Sequence, residues 1–127
     1  MSLAVGFRDD KNIEYKLSFE NDGYYWYLHP FFEALKNSTG IYVDLYGDAV
    51  FNRGNVNQIE TALVNASSSL EAEENYFQVH CGTQVKPEKK EIYNKISKNE
   101  LKSKLNIIFG IIKHIKEHGG SLVFEGD

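Results

Sequence analysis

Residues 23–51 read GYYWYLHPFFEALKNSTGIYVDLYGDAVF, and how this stretch is divided decides the fold. Four aromatics in a row, Tyr24, Tyr25, Trp26 and Tyr27, are enriched types for a strand. Asn21-Asp22-Gly23 before them ends in Asp-Gly, a favoured tight-turn dipeptide. Upstream, Ile13, Tyr15, Leu17 and Phe19 alternate with Glu14, Lys16 and Ser18, the period of a half-buried strand. Together these features predict a hairpin over residues 13–28. Pro30 suits the first turn of a helix, where its missing N–H goes unused, and Phe31, Phe32 and Leu35 give that helix an apolar side. Gly40 suits its end. Ile41, Val43 and Leu45, alternating with Tyr42, Asp44 and Tyr46, predict a third strand, with a turn or loop between Gly47 and Gly54.

Beyond this stretch, Val56, Ile59, Leu63, Ala66 and Leu70 recur at helical spacing, with Asn57 and Glu60 as a capping-box-like start. Tyr76–Gly82 and Glu91–Ile96 read as strands joined by a loop carrying Pro87. The strongest element is the last helix. Ser97 and Glu100 form a capping box before Leu101, Leu105, Ile107, Ile108, Phe109, Ile111, Ile112 and Ile115, an apolar arc of roughly 200° at 100° per residue. That width predicts a helix set deep against a sheet. Gly119-Gly120 ends it, and Leu122–Phe124 closes the chain as a strand. The fold class expected is α+β, with about three helices packed on a mostly antiparallel sheet as a two-layer sandwich.

Composition narrows the function classes. The 127 residues suit a single compact domain, residues 1–127, and two prolines with no low-complexity tract leave no linker. Hydrophobic residues make up 42% of the chain, enough for a core. The net charge is −4, and the lysines of residues 86–104 are interleaved with glutamates, so nucleic acid is not an expected partner. One cysteine, Cys81, excludes an internal disulfide framework and fits a reducing compartment. The N-terminal residues lack the pattern of an export signal, and the longest apolar run, Ile107–Ile112, is too short to span a bilayer. A cytoplasmic protein without a membrane partner is expected, and the sequons at Asn37 and Asn65 carry no weight without export. Met1-Ser2-Leu3 is compatible with a cloning remnant.

Four constellations bear on chemistry. His114-Ile115-Lys116-Glu117-His118 fits H-x-x-E-H, in which two histidines one turn apart share a zinc ion. His and Lys at a helix C-terminus also simply complement its dipole, and no metal or other cofactor is expected. His80 beside Cys81 would suit a thiol nucleophile, but neighbouring strand residues point to opposite faces, so a buried structural thiol is expected. Tyr42, Asp44 and Tyr46 share one face of the expected third strand, with Asp48 just beyond. Carboxylates beside aromatic rings suit acid–base chemistry or the binding of amines and cations. The plainer alternative is a turn-stabilising Asp48 and an Asp44 that accepts backbone or tyrosine hydrogen bonds. Last, Tyr24 to Tyr27 with His29 give either a sheet covered on both sides or an aromatic binding surface anchored on Trp26, the one Trp.

The segments YWYLHPFFEAL and TGIYVDLYGDAVF resemble stretches of small uncharacterised bacterial proteins, loosely of the toxin-immunity or accessory type. The resemblance covers most of the chain, brings no function-defining motif, and implies a bacterial cytoplasmic protein. The function expected is a non-catalytic protein-binding module, immunity-type in form, using Trp26, Tyr27, His29, Asp44, Tyr46 and Asp48. The alternative is a small enzyme or small-molecule-binding domain built on Asp44, Tyr46, Asp48 and His80. A third reading is a structural subunit that self-associates through a sheet edge or its aromatic face.

Overall fold

The decisive stretch folds differently from its strand-like composition. In the computed structural model, which describes residues 2–127, Asp22 is the N-cap of a helix, α1 (Gly23–Thr39), and not part of a hairpin turn. Its side chain accepts from the Tyr24 N–H at 3.0 Å, and its carbonyl accepts from the Trp26 N–H at 3.1 Å. Both are N-terminal helix bonds that Asp makes well. Tyr24–Leu28 is therefore helix, and the hairpin over 13–28 does not form. Helical spacing lines up Tyr25, Leu28, Phe32 and Leu35, all buried, as one stripe. Pro30 lies in the helix interior and cannot donate to the Trp26 carbonyl, a cost of about 3 kcal/mol. Burying Leu28, Phe32 and Leu35 at about 1.5–3 kcal/mol each outweighs it. Gly40 ends α1 as expected, at φ 81°, with its N–H on the Lys36 carbonyl at 2.7 Å.

Preceding α1 are strands β1 (Ser2–Arg8) and β2 (Ile13–Glu20), paired antiparallel with an irregularity between Val5 and Gly6. Leu3 is fully buried and sits opposite Phe19, so Ser2 and Leu3 are working parts of the sheet; Met1 lies outside the described residues. After α1, residues 41–47 do not form the expected strand. Val43 and Leu45 are buried in alternation, but this backbone joins no ladder. The strand begins where a loop was expected, as β3 (Asp48–Asn52), with Ala49 and Phe51 turned into the core. Then come α2 (Val56–Leu70), β4 (Tyr76–Gln84), β5 (Lys90–Ser97), α3 (Lys98–His118) and β6 (Ser121–Gly126).

Four strands form one antiparallel sheet in the order β2-β1-β6-β3, so the last strand of the chain is central. Its inner face carries Leu3, Val5, Phe19, Phe51, Leu122 and Phe124, all buried in the core. The Phe124 ring meets Phe32 of α1 at 6.3 Å and Phe51 at 6.0 Å. β4 and β5 form a separate two-stranded hairpin whose base, Val79 and Ile96, is buried, while Val85 near its tip is 71% exposed. The architecture is α+β, helices packed on a mostly antiparallel sheet, as the sequence implies.

Helix α2 starts at Asn55, not at a capping box of Asn57 and Glu60; the Asn55 side chain instead accepts from the Asn52 N–H at 2.7 Å. In α3 the Ser97 hydroxyl accepts from the Glu100 N–H at 3.3 Å, as a capping box requires. The reciprocal half runs through Tyr24. Its hydroxyl accepts from the Ser97 N–H at 3.1 Å and donates to the Glu100 carboxylate at 2.7 Å, which ties the start of α1 to the start of α3. Leu101, Leu105, Ile108, Ile111, Ile112 and Ile115 are buried; Ile107 and Phe109, at the edges of the apolar arc, are not. No helix is long and apolar enough to cross a membrane among the described residues.

Ile108 is fully buried at the middle of α3. Ile108→Ala is expected to cost about 2–5 kcal/mol in urea denaturation. A loss below roughly half a kcal/mol, the scale of surface sites, would contradict this placement.

Candidate functional site

Four consecutive residues of a helix point in four directions, about 100° apart. Tyr24 reaches α3 through the bonds above. Tyr25 enters the core, 2% exposed, and donates to the Val43 carbonyl at 3.2 Å. Trp26 is half-buried, and its indole N–H donates to Asn21 Oδ1 at 2.7 Å. Tyr27 turns the other way, donating to Ser69 of α2 at 2.9 Å and meeting Phe77 of β4 edge-on at 5.5 Å.

The irregular stretch 41–47 passes beside Trp26. Asp44 makes the turn there: its carboxylate accepts from the Tyr46 N–H, an Asx turn. The end of β6 holds this stretch down. The Gly126 N–H donates to the Gly47 carbonyl at 2.9 Å and the Asp127 N–H to the Leu45 carbonyl at 2.9 Å. The approach is so close that a Cβ on Gly126 would stand 2.6 Å from the Leu45 carbonyl atoms.

A pocket of about 190 Å³ results, lined by Tyr25, Trp26, Tyr42, Asp44, Leu45 and Tyr46. Trp26, Asp44 and Tyr46 thus meet, as does Tyr42, although no strand presents them. Tyr46 is 68% exposed at the rim. His29 stands behind the pocket, one turn on from Trp26 and 4.9 Å from it ring to ring, with Nε2 2.8 Å from the Tyr42 hydroxyl and 3.5 Å from Glu33. The local field is negative. Burial first, and then the nearby charges of Asp44 and Glu33, push the Tyr42 hydroxyl above the ordinary tyrosine range; Tyr25 is raised more strongly, by burial first and then by Tyr42 and Asp44. Lys36 places its ammonium 4.7 Å from the Tyr42 ring centroid, on the rings' attractive face for a cation.

The remaining expected residues lie elsewhere. Tyr27 lines a separate cleft with Phe31, Ser69 and Phe77. Asp48 is exposed at the start of β3, opposite Glu125 in register, and does not line the pocket. His80 is out on the β4–β5 hairpin, bonded to Glu91 and edge-on to Tyr93 at 5.3 Å. Cys81 is half-buried, its thiol donating to Asn94 Oδ1 at 3.2 Å, and burial pushes that thiol up, away from the thiolate a nucleophile needs. In the HIKEH segment, His114 packs edge-on against Phe7 at 4.9 Å and lies 4.8 Å from His118, ring to ring. No group of three or more His, Cys, Asp or Glu is placed to hold a metal among the described residues.

A larger cleft, about 370 Å³, lies between α3 and β2 and is lined by Phe7, Glu14, Lys16, Ile107, Ile111 and His114. In it Lys16 pairs with Glu14 at 2.5 Å and the His114 ring packs edge-on against Phe7. Of the smaller pocket's parts, Tyr25 enters the sequence reading only within the Tyr24–Tyr27 run and Leu45 only as a strand residue, while Gly126, its support, is absent from it. Neither family models, nor curated proteins, nor solved structures give a match to this chain.

Because a methyl at Gly126 would press on the backbone at Leu45 and Gly47, Gly126→Ala is expected to displace the 44–47 turn and cost about 1–3 kcal/mol. The emission of Trp26, the sole indole, is the readout. Unchanged emission and stability would show that β6 does not position the turn.

Proposed function

We propose that this chain is a non-catalytic protein-binding module that seats a partner on the aromatic and acidic surface around Trp26, Tyr42, Asp44 and Tyr46. The carrying observation is the convergence of these side chains on one open pocket, with an exposed Tyr46 at the rim. Large aromatics held by a packed helix and a pinned turn lose little freedom on contact, which is what interface anchors require. A carboxylate among them selects basic groups on the partner. An immunity-type protein, one that blocks a partner by covering its site, has this form, and the acidic net charge of −4 suits a basic target. The single cysteine, half-buried and unpaired in any disulfide, suits a reducing compartment.

The enzyme alternative draws less support. Its residues Asp44, Tyr46, Asp48 and His80 are spread over the 41–47 stretch, β3 and the β4–β5 hairpin, with His80 committed to Glu91. A base must lie within hydrogen-bond reach of the group it serves, and of the four only Asp44 and Tyr46 share a pocket.

The test is a comparison of variants against whichever partner the wild-type chain captures. Tyr46→Ala is expected to weaken that complex by about 2 kcal/mol or more, roughly thirtyfold in Kd, by surface plasmon resonance. Val85→Ala, on the exposed end of the hairpin, is expected to leave it unchanged. A complex indifferent to Tyr46→Ala, or sensitive to Val85→Ala instead, would overturn the reading.

A further inference from the structure

Resting on that reading of the site, we infer that the Trp26–Tyr42–Asp44–Tyr46 pocket is a cage for an alkylated ammonium group, a trimethylammonium head above all. Its rings supply the walls: Tyr25 and Trp26 from α1, Tyr42 and Tyr46 from the 41–47 stretch. Aromatic faces are negative and attract cations, and a positive head group ringed by several of them gains from each. Asp44 adds a full charge at the same position. Burial raises the Tyr25 and Tyr42 hydroxyls first, and the Asp44 charge adds to it; no Lys, Arg or His is among the residues lining the pocket, and Lys36 stands against the Tyr42 ring.

Size and hydrogen-bonding chemistry choose among cations. At about 190 Å³ the pocket is smaller than the roughly 300–1,000 Å³ of sites that enclose whole drug-sized ligands, so it takes a head group. A bare ammonium carries three N–H donors and is strongly hydrated. Inside this pocket it would find mostly rings and one carboxylate that already accepts from the Tyr46 N–H. Donors left unpaired there are costly. A trimethylammonium head has no donors to satisfy, presents methyl groups to the rings, and keeps the charge. Lys36 illustrates the other case: its ammonium uses the Tyr42 ring from outside the pocket, on a residue that is exposed to water.

The head group has two conceivable sources, a free choline-like amine and a trimethylated lysine side chain on a partner. Trp26, which lines the pocket and is the sole Trp, reports binding by its own fluorescence. The folded full chain is titrated with choline and with 3,3-dimethyl-1-butanol, its neutral carbon counterpart, at constant ionic strength. It is also titrated with a short peptide bearing trimethyl-lysine and with the same peptide unmodified. Choline is expected to bind saturably and roughly tenfold more tightly than the neutral counterpart. Asp44→Asn and Tyr46→Ala are each expected to weaken choline several-fold. Val85→Ala is expected to leave it unchanged, and circular dichroism to confirm that the variants remain folded. A tighter trimethyl-lysine peptide would assign the source to a partner protein, and an equal or weaker one to a free amine. Equal response to choline and its neutral counterpart, or no saturable response to any probe, would overturn the cage. Partner binding that is lost in Tyr46→Ala alongside such a null titration would leave the protein-binding reading standing without it. Saturable choline binding with a Tyr46-indifferent complex would do the reverse.

Discussion

One buried helical stripe, Tyr25, Leu28, Phe32 and Leu35, sets the position of nearly everything else. Once α1 turns that stripe inward, its neighbours have no choice of direction. Tyr24 is delivered to the first turn of α3, where its hydroxyl completes the cap between Ser97 and Glu100. Trp26 is delivered to the 41–47 stretch, and Tyr27 to α2 and the base of the β4–β5 hairpin. Four adjacent aromatics thereby anchor α1 to several elements, which a strand, with only two faces, would not allow.

The candidate site is made by two constraints acting at one place. Helix α1 fixes Trp26 from one side, and the end of β6 fixes Leu45 and Gly47 from the other. Between them the backbone is irregular, yet buried Val43 and Leu45 hold it to the core at 0% and 3% exposure. A rigid irregular segment can present side chains that neither a helix nor a strand would group. Tyr42, Asp44 and Tyr46 come out on one side through alternation in burial alone, and Asp44 spends one interaction on the turn itself. The exposed part of the group is Tyr46, at the rim, and Trp26 is half-buried.

Much of the fold was legible because it rests on local periodicity. α2, α3, β2, β4, β5 and β6 all show in the spacing of their apolar residues, and the sandwich class follows from their order. β propensity and the Asp-Gly pair both favour a strand over the aromatic run, whereas Asp22 serves as a helix cap and the stripe at Tyr25, Leu28, Phe32 and Leu35 supplies the burial. Tertiary packing overrides propensity here, and even Pro30 does not prevent it. β3 was missed since five residues, Asp48–Asn52, gain strand character only by pairing with β6 from the far end of the chain. The same long-range pairing hides Gly126, whose role depends on a neighbour some eighty positions away. Of the site, Trp26, Asp44 and Tyr46 were legible from chemistry, and Tyr42 from alternation. Tyr27, Asp48 and His80 lie away from that pocket, because their neighbours in sequence are not their neighbours in space.

The most direct measurement is solution NMR of the wild-type chain and Tyr46→Ala. Helical Cα shifts through Tyr24–Leu28 are expected, together with a shift of the Trp26 indole resonances when the Tyr46 ring is removed and none when Val85 is truncated. Extended-strand shifts over Tyr24–Leu28 would contradict the helix and the pocket built on it, and a Trp26 indole indifferent to Tyr46 would contradict the pocket.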